Sequence, residues 1–199
     1  MEQFQLFFDE RVSKLEKDNR WGAVVRIVLQ QWNDCPNDLN RLLCAGTQLW
    51  YTLLVMDYIR NDPLQLDDEF VPDIHLQNDL MIVTRYGLIH FAENPIFNAY
   101  FGYMIYLMPY FFIDYNGDYL GWQAKGLEMM RLSYILDPDN PFTKAVYYEK
   151  DGYGKDTPFF DACREIWSKL TPEQWGETKV QQYFFRILHG ESFFADAYL

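Results

Sequence analysis

Apolar side chains recur at intervals of three and four along most of this chain, the spacing of one face of an α-helix. Phe4, Phe8, Val12 and Leu15 open the series, and Trp21, Val24, Val25, Val28 and Trp32 continue it. Leu39, Leu42, Leu43, Gly46, Leu49 and Leu53 give a third face, and Leu80, Val83, Gly87 and Phe91 a fourth. Phe97, Phe101, Met104, Met108 and Phe111 form a fifth, and Leu120, Ala124, Leu127, Met130 and Tyr134 a sixth. Cys163, Ile166, Trp167 and Leu170 are followed by Val180, Tyr183, Phe184, Ile187 and Leu188. Period-two alternation does not extend over any useful length, so the pattern predicts an all-α chain.

Punctuation agrees with the periodicity. Thr157-Pro158 and Thr171-Pro172 each place a capping hydroxyl before a proline at the first helical position. Gln174 stands at capping-box distance from Thr171, and Gly190 follows the last periodic run as a C-terminal stop. Three helices end in similar wording: "QQWNDCPND", "IHFAENP" and "SYILDPDNP", with prolines at 36, 95 and 138. Each is followed by another apolar helix. Proline cannot continue the helix before it and suits the turn into the next. The expected architecture is a single domain, residues 1–199, of about eight to ten helices stacked as antiparallel pairs.

The stretch "GLEMMRLSYILDPDNPF", residues 126–142, resembles the end of a tetratricopeptide repeat. Gly126 and Ser133 take its two small positions, Met130 the larger one between, and Pro138 its terminal proline. In that family small residues let two helices approach closely, and Gly46 and Gly102 are placed to do the same. The repeat period of about 34 residues is not kept, and Val24 and Gln31 stand where small residues belong. The resemblance covers residues 20–145 and implies a solenoid-like stack with a protein-binding habit.

Charge narrows the function. The net charge is −12, and residues 61–140 hold three basic and twelve acidic side chains. Nucleic acid and anionic lipid both need a cationic surface, so neither is an expected partner. A basic protein is the natural counterpart of such a field. Cys35, Cys44 and Cys163 form no CxxC pair and leave an odd thiol, which favours a reducing compartment. The N-terminus has neither a basic region nor a small-residue cleavage site, so it does not read as a signal peptide. The uncharged run Ile96–Ile113 is 18 residues long, but its tyrosines, Pro109, Asn98 and acidic flanks fit a buried core helix better than a membrane span.

Candidate chemistry is sparse. "DYNGDYLGW", residues 114–122, begins like a calcium loop, with Asp114, Asn116 and Asp118 at alternate positions. Its sixth residue is Tyr119 and its twelfth Lys125, where an EF-hand needs glycine and glutamate. It succeeds instead as a turn, with Asn116-Gly117 supplying positive φ and Asp118 capping the next helix. His75, His90 and His189 have no zinc spacing, and His90 reads as a satisfied core histidine. Cys163 reads as structural. The sequence holds no GxSxG, Walker or GxGxxG motif, so no catalytic residue, metal or cofactor is expected. Tyrosines 100, 103, 106, 110, 115 and 119 either line a groove or sit in the core and at its rim.

The candidate partner site is the acidic stretch 57–79: Asp57, Asp62, Asp67, Asp68, Glu69, Phe70, Asp73 and Asp79, against Arg60 alone. The expected function is non-enzymatic binding of a basic protein. Its most concrete form is a cytoplasmic immunity protein that masks a basic toxin domain such as a nuclease, because the chain is similar to that group in being small and acidic with no catalytic motif. The alternatives are a peptide-binding repeat adaptor, and an enzyme whose site is assembled in space around His90 or Cys163.

Overall fold

The computed structural model describes residues 6–59, 75–113, 117–151, 157–168 and 175–188. Among them the chain is helical throughout. Nine α-helices follow in order: α1 Glu10–Lys17, α2 Trp21–Asp34, α3 Leu39–Ile59, α4 Leu76–His90, α5 Pro95–Leu107, α6 Tyr119–Leu136, α7 Pro141–Tyr148, α8 Pro158–Trp167 and α9 Lys179–Leu188. Short 3-10 turns cover Pro109–Phe112 and Glu149–Asp151. No helix of the described residues is long and apolar enough to cross a membrane. The Ile96–Ile113 run folds as α5 and a 3-10 turn, and Ile96 through Ile105 are all buried.

α5 is the centre of the molecule. It packs against α3, α6 and α7, and its rings reach α4. Phe97 lies where a Cβ on Gly87 would stand, and Phe101 does the same at Gly46. These two glycines of α4 and α3 are therefore sockets for aromatic knobs. Gly102 meets α6 differently: a Cβ there would stand 2.8 Å from the Met130 backbone nitrogen and 3.1 Å from the Gly126 carbonyl. Gly126 in turn faces the Tyr106 nitrogen and the Gly102 oxygen. The α5–α6 pair thus packs backbone on backbone, as the small positions Gly102 and Gly126 predict.

The buried stripe of α6 differs from the sequence expectation. Gly126, Met129, Met130 and Ser133 are buried, while Leu120 and Ala124 are exposed and Leu127 and Tyr134 half-buried. The true stripe is ordered by the smallest side chains, because contact distance rather than apolar content decides which face meets α5. The tyrosine series also divides: Tyr100 and Tyr103 are buried, Tyr106 is half-buried, Tyr110 and Tyr119 are exposed, and Tyr115 lies outside the described residues. These residues do not form one groove.

Caps explain the starts. Asn94 accepts from the Ile96 and Phe97 amides, Asn140 from the Phe142 amide and Thr157 from the Phe160 amide, each with proline at the first helical position. Gly117 has φ of 71°, and Asp118 caps α6 by accepting from the Gly121 amide, so this part of "DYNGDYLGW" is a turn into a helix. The Thr171-Pro172 and Gly190 signals, His189, Asp114 and Asn116 lie outside the described residues. Asn94→Ala leaves two amides without an acceptor and is expected to cost about 1 kcal/mol, to be read as a lower urea midpoint at unchanged slope.

The first and last helices meet. The Gln181 side-chain amide donates to the Leu6 carbonyl at 2.6 Å, and the Lys179 amide donates to a Glu16 carboxylate oxygen at 2.7 Å. Thr178 and Gln181 form a reciprocal capping box at the start of α9. Behind it Tyr183 and Phe184 pack on Trp50 of α3 and Phe184 on Tyr103 of α5, at ring separations of 5.3–6.3 Å.

Candidate functional site

Contacts fix the direction of the central helices. Gly46 of α3 meets Phe101 of α5, and Trp50 further along α3 meets Tyr103 further along α5, so the two helices run the same way. Tyr100 of α5 packs on Phe142 at the start of α7, with ring centroids 4.7 Å apart. α3, α5 and α7 therefore begin at one end of the molecule. α4 and α6 finish there: Gly87 meets Phe97 near the start of α5, and the Gly102–Met130 approach sets α6 antiparallel to α5. α2 finishes there as well, with Trp32 against Tyr86 of α4 at 5.6 Å.

The three proline turns with similar wording thus share one end of the fold. They bring together Asp34, Asp38, Glu93, Asp137 and Asp139, of which all but the half-buried Asp137 are exposed. The turns are tied down. The Asp38 carboxylate accepts from the Arg41 amide, and the Arg41 guanidinium donates to the Gln31 carbonyl. Asn98 donates to the Ala92 and Asn94 carbonyls, and Thr143 to the Asp137 and Asn140 carbonyls. The Tyr86 hydroxyl donates to Asn37 at 2.6 Å and ties the first turn to the last half of α4. Three helix starts and three helix ends lie side by side here, so their dipoles largely cancel. The local field is then set by the side chains, with Asp38 paired to Arg41 at 3.7 Å and the remaining carboxylates in excess.

Apolar side chains border this end. Ile89, one turn before Glu93, is 74% exposed, and Ile135 and Leu136, just before Asp137, are 54% and 40% exposed. Exposed Phe7 lies against the start of α3, where its amide and carbonyl both bond the Asn40 side chain. The surface combines fixed negative charge with scattered apolar anchors, which suits docking of a complementary protein face.

The two members of the predicted acidic stretch that fall in described helices map elsewhere. Asp57 lies in the last turn of α3 and Asp79 in the first turn of α4, at the opposite end from the proline turns. Asp79 is half-buried, and burial raises its carboxyl above the ordinary range, with His75 opposing. Asp62, Asp67, Asp68, Glu69, Phe70 and Asp73 lie outside the described residues. Sequence reasoning missed the turn end, although the signal was present: three similar turns in successive helix pairs must fall on one side of a stack.

The other candidates resolve simply. His90 is not a core histidine; it is exposed and stacks on Tyr86 at 4.1 Å. It follows the last buried position of α4 and so points past the core edge. Cys163 is fully buried, and burial pushes its thiol up to about 12, the state of an inert packing group. Among the described residues the three cysteines are free, and no cluster of three or more His, Cys, Asp or Glu could hold a metal ion. A small apolar cleft of ≈ 10 Å³ between α5, α7, α8 and α9 is lined by Tyr103, Phe142, Phe159, Phe184 and neighbours, and includes neither His90 nor Cys163.

No protein-family model, curated protein or solved structure matches this chain.

Proposed function

We propose that the protein is a non-enzymatic binder of a basic protein, and that the end formed by the three proline turns is its docking face. The observation that carries this reading is the convergence of Asp34, Asp38, Glu93, Asp137 and Asp139 on braced turns beside exposed Ile89, Ile135 and Leu136. Braced carboxylates steer a cationic partner on approach, and apolar anchors hold it after contact. In its most concrete form the partner is a cationic toxin domain such as a nuclease, and the protein is a cytoplasmic immunity protein that masks it.

Tetratricopeptide-like stacking of the helix pairs belongs to this reading, supported by the Gly102–Gly126 approach. The bonds from α9 to Leu6 and Glu16 favour a docking end over an open peptide groove. A solenoid's terminal repeats touch only their neighbours, whereas here the first and last helices meet.

The test begins with capture of partners from the host at low and high salt. The captured basic protein is then titrated against two triple variants. Asp34→Lys/Glu93→Lys/Asp139→Lys is expected to weaken binding by at least about tenfold and to flatten its salt dependence. Asp67→Lys/Asp68→Lys/Glu69→Lys is expected to change it less. The reverse order moves the docking face to the 57–79 stretch, and capture of no basic protein rejects the reading.

A further inference from the structure

Glu16 is the most deeply buried acid among the described residues, at 1% exposure. It sits on the inner face of α1, where α3 and α9 close over it. One carboxylate oxygen receives the Lys179 amide, the first N–H of α9, across 163 positions of sequence. The other oxygen has no hydrogen-bond partner among the described protein groups. Gln48 of α3 is fully buried and faces the carboxyl group, close enough to bias it but outside bonding geometry, with both of its amide atoms unpartnered. Glu16 thus caps a helix far away in sequence, from a site where an ionised carboxylate is poorly solvated.

We propose that Glu16 is a proton-operated latch, whose neutral carboxyl group locks α9 against α1 and α3 and whose ionised form loosens that contact. The charged and titratable groups around it are few. From α9 the Lys179 ammonium stands over the Trp21 ring at 5.3 Å, and Arg186 acts on Tyr51. From α3 Tyr51 faces Glu16, its phenol pushed up to about 12 by burial and further by the Glu16 charge, with Arg186 opposing. At the exposed edge Lys17 pairs with Glu177 at 3.3 Å and neutralises it.

Burial is the largest influence on Glu16 and raises its carboxyl from 4.5 to about 7; the Lys179 amide, Gln48 and the Lys179 charge oppose it. The docked state therefore holds the proton more tightly than the undocked state does. Docking is tightest at and below the ordinary carboxyl range, weakens as pH climbs to about 7, and levels off above. This latch is independent of the partner-binding reading. Its release would uncover Tyr183 and Phe184 and the Trp50 face beneath them.

The test is amide hydrogen exchange of peptides spanning Lys179–Leu188 at pH 5 and pH 8, corrected for intrinsic exchange rates. In the wild type the opening constant of α9 is expected to rise by some tens of fold, roughly 30–100. In Glu16→Gln, a neutral isostere, it is expected to change less than about threefold. An equal rise in both proteins overturns the proposal, and so does an α9 that opens at both pH values in Glu16→Gln, since the charge would then be what holds it. A carboxyl-carbon NMR titration of wild-type protein needs no variant, and a Glu16 midpoint below pH 5 overturns the proposal as well.

Discussion

Gly126→Val is expected to destabilise the fold by about 3 kcal/mol, a fall in melting temperature of roughly 6–12 °C for a chain of this size. Two effects oppose each other at this site. Removing a glycine from a helix interior gains up to about 1 kcal/mol in intrinsic propensity, less for a β-branched residue. Against that, the new Cβ would stand 2.5 Å from the Tyr106 nitrogen and 2.9 Å from the Gly102 oxygen. Both are backbone atoms, so relief requires α5 and α6 to move apart and every contact along them to loosen. Gly121→Ala is the control. Its methyl meets only the exposed Asp118 carboxylate, a side chain free to swing. That variant is expected to stay within about 1 kcal/mol of wild type, the worth of the cap it disturbs. Thermal melts of the two proteins decide the matter, and equal losses would mean that the close approach of α5 and α6 contributes nothing.

Trp50→Ala is expected to lose about 4 kcal/mol, within the range of large aromatic deletions from a core. Trp50 is fully buried on α3, ringed by Tyr103, Tyr183 and Phe184. These neighbours come from two helices, α5 and α9, held by separate contacts, so they cannot all collapse into the space left behind. Trp50→Phe is expected to lose much less, under about 1.5 kcal/mol. The indole N–H has no hydrogen-bond partner among the described protein groups, and phenylalanine removes that buried donor while keeping most of the ring contact. Urea unfolding at one fixed pH measures both. A phenylalanine variant as unstable as the alanine one would show that the indole N–H is satisfied after all.

The sequence carried the helical class clearly and its tertiary logic only partly. Val24, Val25, Val28, Leu42, Leu49 and Val83 are buried as their spacing predicts, because a helix face and its period are local properties. The turn prolines and the Asn94, Thr157 and Asp118 caps are local too. The inner face of α6 was legible only through its small residues: the apolar period pointed to Leu120, Ala124, Leu127 and Tyr134 beside Met130, whereas Gly126 and Ser133, marked by the repeat resemblance, are the positions that are buried. His90 read as a core residue because the periodic run before it does not mark where the core stops. The meeting of Glu16 with Lys179 depends on closure of the whole fold, and nothing in either neighbourhood announces it. The acidic turns could have been aligned from their repeated wording, but a tally of charge along the chain favours the denser 57–79 stretch and says nothing of which end of a stack each acid occupies.

The bond between Glu16 and α9 also sets an order in time. At about 5–20 residues per second, the ribosome needs on the order of 10–30 s to extend the chain by the 163 positions that separate Glu16 from Lys179. Throughout that interval Glu16 lacks the Lys179 amide and is covered from the α3 side alone. α2 to α7 contain most of the central contacts and can assemble around α5 meanwhile. The full burial of Glu16 is then a late event in folding, which under the proposed latch brings partial proton uptake near neutral pH.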